Sequence, residues 1–574
     1  MCIKQDPVFI VSLKKLLLSS CFFISVILTK AQLNPYQYSI QKKAEGSNGA
    51  VVSAHPLASK AGIEILKKGG NAFDAAITTQ LVLAVVYPGA GNLGGGGFLI
   101  GYTSEQKKIA LDYREKAPGK ATRDMYLDAG GKAQTNKSQN GHLAAGVPGT
   151  IAGLFATHRF GRLPFQELIQ PAIELAEKGF VLTNSEANSL NHAQDDFRKY
   201  NTILPVFVRS GGWKAGDTLI QTDLARTLKR IQQKGAKGFY TGTTARYIRQ
   251  EMKRGKGILS KRDLRHYDAV ERTVMTSTYR DHTILGMPLP SSGGLLVQQM
   301  LGMTSGYPIA EYGFQSSATV QLMIEIERRA YADRAEFMGD ADFVQVPVDK
   351  LTSPEYLKKR MSDYSPGKAG NSQATTHGTI PAESEETTHL SVFDHWGNAV
   401  SVTTTLNNHY GSKTVVGKAG FLLNNEMDDF SIKPGVPNLY GAVGSSANAI
   451  APHKRMLSSM SPTIVLKDNK PYLIIGTPGG TTIPTQIYQS VLNLIDFKHT
   501  LEDVINLPKF HHQWLPDIVF TEADFPSDVI NQLKQMGYQI DIRGHIGRTE
   551  GILIENNRII AVGDKRGEDH AEAY

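Results

Sequence analysis

The sequence predicts a mixed α/β protein of the α+β kind. Apolar residues recur at helical spacing through most of the chain up to about residue 345, and the spacing switches to alternation after a polar stretch at 365–386. With 574 residues, 41% hydrophobic and 20% charged, the chain has apolar material for a large core and is not a disordered sequence. No repeat of fixed period is visible, which removes solenoids and propellers.

Taken in order, Lys14 and Lys15 precede an apolar run from Leu16 to Leu28 that closes on Thr29-Lys30-Ala31. This is the layout of a secretory signal peptide over residues 1–31, and the run falls short of the about 20 apolar residues of a membrane span. The protein is therefore expected to be exported, periplasmic or extracellular. Cys2 and Cys21 are the only cysteines, so a chain cut after Ala31 has no thiol, disulfide or thiolate metal ligand. Lipid anchoring through Cys21 is disfavoured because Phe22 to Leu28 carries the apolar core past it. The formal charge of +8 is thinly spread, with no dense Lys/Arg run and no interleaved aromatic platform, so no nucleic-acid partner is expected.

Leu57, Ala61, Ile65 and Leu66 mark a helix that stops at Lys67-Lys68-Gly69-Gly70. Asn71 caps a second, with Asp74 in its first turn and Pro88 beyond its end. The run Gly91 to Gly97 lacks the Lys-Ser/Thr ending of a phosphate loop and precedes the apolar Phe98-Leu99-Ile100, so it reads as a tight buried backbone crossing. Helices are predicted over Leu168 to Gly179, Leu224 to Lys234, Thr243 to Met252 and Ser317 to Phe337. The stretch 365–386, dense in Ser, Thr, Gly and acidic residues, reads as a flexible tether. Strands follow over Thr388 to Phe393, Ala399 to Leu406, Phe421 to Asn424, Thr463 to Leu466 and Tyr472 to Ile475, then helices near Pro484 to Ile495 and Leu501 to Asn506.

The first two of these strands flank the turn Asp394-His395-Trp396-Gly397-Asn398 and form a hairpin. If Phe393 opposes Ala399, the same register sets Thr387 opposite Thr405, with Cβ atoms about 5 Å apart. A cut between Glu386 and Thr387 would give Thr387 a free α-amino group, of pKa about 8, beside its own hydroxyl, which is the make-up of an acyl-transfer nucleophile. Pattern alone favours a Thr-rich edge hairpin without chemistry.

Six motifs in order add to that pattern: Asp112-Tyr113-Arg114-Glu115, Gly94 to Gly97, Glu386-Thr387-Thr388-His389-Leu390-Ser391-Val392, Asn424 to Phe430, Leu457 to Thr463, and Thr477-Pro478-Gly479-Gly480. Through them almost the whole mature chain resembles the γ-glutamyltransferases (γ-glutamyl transpeptidases), self-processing N-terminal-nucleophile hydrolases. The resemblance implies a four-layer αββα sandwich. It is built jointly by a large subunit of residues 32–386 and a small subunit of residues 387–574, cut from one precursor as a heterodimer.

It further implies that Thr387 is the nucleophile of both cleavage and turnover, that Thr405 hydrogen-bonds it, and that Gly479 and Gly480 form the oxyanion hole. Arg114 is implied to grip the substrate α-carboxylate with help from Ser458 and Ser459, Asp429 and Glu426 to hold the α-ammonium, and Asn407 to touch the substrate. Lys433 to Gly441 resembles the lid loop of part of the family, with Tyr440 as its gating aromatic. His511-His512 has no third ligand at suitable spacing, so no metal is expected, and no cofactor is implied. The implied donors are glutathione and other γ-glutamyl compounds, and the acceptors water, amino acids or dipeptides. The alternatives are a glutaryl/cephalosporin-type acylase of the same fold and an exported γ-glutamyl-binding protein with a dead site.

Overall fold

The computed structural model describes residues 39–374, 387–433 and 435–574. The signal-peptide reading at 1–31, both cysteines, Glu386, Pro434 and tether residues 375–386 lie outside them.

Two seven-stranded antiparallel sheets stack face to face. The first runs in the order His570–Ala573, Ala50–Ser53, Thr388–Phe393, Ala399–Thr405, Gly96–Tyr102, Lys108–Asp112, Val270–Arg272. The second runs Lys43–Gly46, Arg558–Val562, Glu550–Glu555, Lys470–Gly476, Thr463–Lys467, His282–Gly286, Met275–Tyr279. Period-two alternation sorts their side chains into layers. Val52, Phe98 and Ile100 meet Leu285, Ile464, Ile474 and Ile552 between the sheets. Val51, Leu99, Leu390, Val392, Val400 and Val402 face outward onto the helices Pro56–Lys67 and Ala72–Val86. On the other side Val465, Leu473 and Ile475 pack under the helices Gly293–Thr304, Ser317–Phe337 and Ile483–Ile495. The layers are therefore helix, sheet, sheet, helix. Both sheets interleave strands from before and after residue 387.

Local chemistry sets the helix bounds. Asn71 Oδ1 accepts from the amides of Phe73 and Asp74, and the Asp74 carboxylate accepts from Asn71 N at 3.0 Å, a closed capping box. Ser317–Phe337 and Leu501–Asn506 form where their spacing predicts them. The helix expected over Leu168 to Gly179 instead breaks at Ile169 between Phe165–Leu168 and Gln170–Lys178, because Pro171 fits only the first turn of a helix.

Phe421 to Asn424 forms no regular strand but isolated bridges, Val415 to Leu422 and Gly94 to Leu423. There the side chain of Asn424 donates to Gly94 O at 2.7 Å, taking an acceptor that a ladder would use. Val270–Arg272, Met275–Tyr279 and His282–Gly286 are strands inside a stretch that reads as mostly helical. Their Val, Thr and Tyr content was the available signal.

The first part of the predicted tether is pinned. Ala369 N donates to Met536 O, Gly370 N to Glu325 Oε1 and Ser372 N to Asp517 Oδ2, at 2.8, 3.0 and 2.8 Å. Among the described residues no helix is long and apolar enough to cross a membrane.

Candidate active site

The hairpin Thr388–Phe393/Ala399–Thr405 pairs with Phe393 opposite Ala399 and Thr388 opposite Thr404. One rung further, the same register sets Thr387 opposite Thr405. On the face between the sheets this hairpin carries polar pairs where the rest of the layer is apolar: Ser391 opposite Ser401 and His389 opposite Thr403, with His389 Nδ1 3.0 Å from Thr403 Oγ1. The pair at the end of the row is Thr387 and Thr405, both buried and both lining one cleft. Burial pushes His389 down to about 3, so its imidazole is neutral, and its Nε2 is tied to Ser391 Oγ at 3.1 Å.

The glycine run beneath the hairpin is a close backbone crossing. A Cβ on Gly94 would lie 2.0 Å from Leu422 O, and one on Gly95 would lie 2.0 Å from Thr405 O. Asn92 fastens the two: its Nδ2 donates to Thr404 Oγ1 and Thr405 O at 3.1 and 2.9 Å, and its Oδ1 accepts from Gly95 N and Thr150 Oγ1. Sequence reasoning assigned Asn92 nothing.

Arg114 enters at the end of the strand Lys108–Asp112, 1% exposed. Its Nη1 lies 2.5 Å from Glu426 Oε2 and 3.8 Å from Glu115 Oε2, its Nη2 pairs with Asp429, and Nε reaches Met456 O. Burial opposes its charge, but Glu426 and Asp429 outweigh that and keep the guanidinium ionised. Burial raises the carboxyls of Glu426 and Asp429 against the pull of Arg114, and pushes Glu115 up to about 8. The residues implied to bind the two ends of an amino-acid head group thus pair with one another here.

Gly479 and Gly480 have φ of 139° and 53°, conformations that side-chain-bearing residues rarely adopt. They open the short turn Gly480–Thr482 that feeds the helix Ile483–Ile495, a geometry that aims backbone N–H groups outward from a helix start. Thr482 N closes the turn on Gly479 O at 2.9 Å, and Gly480 lines the cleft. The ring of Tyr440 lies over Gly480, within 2.5 Å of where a Cβ would be, and its hydroxyl donates to Asn407 O. Asn407 Nδ2 in turn donates to Asn425 O at 3.1 Å and Asn407 N to Thr405 Oγ1 at 2.8 Å.

Ser458 Oγ accepts from Met460 N at 3.2 Å. Ser459 Oγ accepts from Arg334 Nη2 at 3.0 Å. All the described residues that the resemblance implies are brought to this cleft except Glu426, which sits one layer behind it on Arg114, and Gly479, which precedes the lining Gly480. Sequence reasoning gave no role to several other lining residues, among them Asn438, whose Nδ2 donates to Asp429 Oδ1 at 3.0 Å, and Arg334 on the helix Ser317–Phe337. His511 and His512 are engaged with Thr485, Gln513 and Asp517, and burial pushes them down to about 3 and about 4.

The γ-glutamyltranspeptidase family model matches residues 58–574. A glutathione hydrolase proenzyme of Escherichia coli is 42% identical over 572 residues, 98% of each chain. The crystal structure of Helicobacter pylori γ-glutamyltranspeptidase superposes with TM-score 0.55 at 41% identity, covering 58% of this chain and 94% of its own. That of a cephalosporin acylase from Bacillus halodurans gives TM-score 0.82 at 25% identity over 96% and 99%. With the N-terminal-nucleophile layering, the paired threonines and a family model spanning nearly all described residues, the chain belongs to the γ-glutamyltranspeptidase family.

Proposed function

We propose that this enzyme is a self-processing γ-glutamyltransferase that takes the γ-glutamyl group from glutathione and related compounds and passes it to water, amino acids or dipeptides. The observation that carries this is the meeting of a buried threonine pair with Arg114 and Asp429 in one cleft. In maturation Thr387 Oγ attacks the Glu386 carbonyl, the peptide bond breaks to an ester, and water hydrolyses it, leaving 32–386 and 387–574 as two chains of one fold.

In turnover the new α-amino group of Thr387 takes the hydroxyl proton as Oγ attacks the γ-carbonyl. Gly479 and Gly480 N–H groups stabilise the oxyanion, and the proton passes to the departing amine. Water or an amine then cleaves the γ-glutamyl ester. Arg114, with Ser458 and Ser459, meets the α-carboxylate; Asp429 and Glu426 meet the α-ammonium; Asn407 and Tyr440 close the pocket. The enzyme acts after export.

An acylase of glutaryl side chains has no ammonium to bind, and the carboxyl of Asp429 in the cleft, with that of Glu426 behind it, argues against it. Two measurements test the reading. Intact mass of the purified protein should show a chain beginning at Thr387, and γ-glutamyl-p-nitroanilide should turn over far faster than glutaryl-p-nitroanilide. A single uncut chain, or preference for the glutaryl anilide, would overturn it.

A further inference from the structure

Arg334 is a second guanidinium in the cleft, and its surroundings differ from those of Arg114. Arg114 is committed to Glu426 and Asp429 and to the carbonyls of Met456 and Leu457. Arg334 is 8% exposed and, among the described residues, has no carboxylate within ion-pair distance. Its Nε donates to Ser292 Oγ at 3.1 Å and its Nη2 to Ser459 Oγ at 3.0 Å. Ser292 Oγ in turn donates to Ser458 O at 2.7 Å. The guanidinium therefore braces the Ser458-Ser459 turn at two points. One turn earlier on the same helix, Tyr331 donates to Thr481 O beside the Gly479-Gly480 turn, so this helix face fixes both ends of the cleft.

A serine hydroxyl has one proton and two lone pairs. Arg334 Nη2 occupies a lone pair of Ser459, as Met460 N occupies one of Ser458, and among the described residues neither hydroxyl proton has an acceptor. Each serine is thereby held as a donor, which a carboxylate requires and a cation does not.

We propose that Arg334 is a specificity-determining positioning residue. It orients the Ser459 hydroxyl toward the donor's α-carboxylate and adds positive charge to that of Arg114, which Glu426 and Asp429 partly offset. This rests on the γ-glutamyl donor reading above and deepens it: selection for an α-carboxylate belongs to two arginines, one of them acting through a serine.

The test compares γ-glutamyl-p-nitroanilide with 4-aminobutyryl-p-nitroanilide, which lacks only the α-carboxylate, in wild type, Arg334→Met and Arg334→Lys, each confirmed as two chains by intact mass. Loss of a charge-assisted contact should raise KM for the γ-glutamyl anilide about 30- to 100-fold in Arg334→Met, with kcat within about 3-fold. Arg334→Lys should recover part of the loss, and kcat/KM for the aminobutyryl anilide should stay within about 3-fold of wild type in both. In the Ser459→Ala background the Met substitution should cost distinctly less. Equal losses on both anilides, or a fall in kcat at constant KM, would mean a merely structural role and overturn the proposal. If Arg334→Met stays uncut, Arg334→Lys decides: processed with wild-type discrimination, it overturns the proposal. Absence of turnover of the γ-glutamyl anilide by the wild type would instead sink the donor reading itself.

Discussion

The two walls of the cleft are held by different means. On the hairpin side, Ala399–Thr405 is laddered along its whole length to Gly96–Tyr102 and on its other edge to Thr388–Phe393, over glycines whose neighbours leave no room for a side chain. On the opposite side, the contacts of Asn438 to Tyr440 include Asn438 Nδ2 to Asp429, Leu439 N to Asp428 Oδ2 at 2.6 Å, Tyr440 OH to Asn407 O, and Gln513 Nε2 to Tyr440 O at 3.3 Å. The wall that carries Thr387 cannot shift without unpairing a sheet, whereas the wall that carries Tyr440 can let go of single hydrogen bonds. The two walls are thus separable by mutation.

Four changes break or sharpen that contrast. The largest effect is expected from Thr387→Ala, which should yield one chain of precursor mass with no turnover of γ-glutamyl-p-nitroanilide; two normal subunits from that variant would remove Thr387 from the mechanism. Next, Gly95→Val sets a Cβ against Thr405 O and should cost about 3 kcal/mol or more, seen as a lowered unfolding midpoint with failed processing. A processed, wild-type-stable protein would mean the hairpin wall is not fixed by that approach.

On the opposite wall, burial pushes the Asp428 carboxyl up to about 7 while it accepts from Ser138 Oγ and Leu439 N. In the unfolded chain the same carboxyl ionises near about 4, so folding takes up a proton between those values and stability falls as pH rises from about 4 to about 7. Asp428→Asn, which mimics the protonated form, should therefore gain on wild type as pH rises, by ~2 kcal/mol at pH 8 and little at pH 4. Denaturation curves at the two pH values check it, and a constant difference would refute it. The smallest effect is expected from Tyr440→Phe, which removes the hydroxyl on Asn407 O and should raise KM about 5-fold, near 1 kcal/mol, with processing intact.

Much of the hairpin wall was legible in the sequence because its signals are local. Alternation over Thr388 to Phe393 and Ala399 to Thr405 and a turn of five residues determine the register. The Asn71 cap and the Ser317–Phe337 helix were legible for the same reason. Arg334 was not, because its partners Ser292 and Ser459 lie 42 and 125 residues away and no short-range pattern distinguishes it from the other charges of its helix. Glu325, Glu327, Arg328, Arg329 and Asp333 are buried there as well. Asn438 and Asn92 were missed likewise: an asparagine in a loop carries no mark of what it fastens. The edge strand Met275–Tyr279 and its neighbour His282–Gly286 were obscured by the helices on both sides of them.

The interleaving of both sheets across residue 387 has a consequence for the matured protein. A cut of the backbone at Glu386–Thr387, as proposed above, would make two molecules out of one, yet neither could leave without unzipping both sheets. Dilution should therefore not dissociate the native pair. Once melted, however, the pair must find itself again by collision, so recovery after heating should depend on protein concentration, while the uncut Thr387→Ala chain should refold at a rate independent of it. Cleavage in that sense turns a reversible fold into one whose persistence is set by its unfolding barrier.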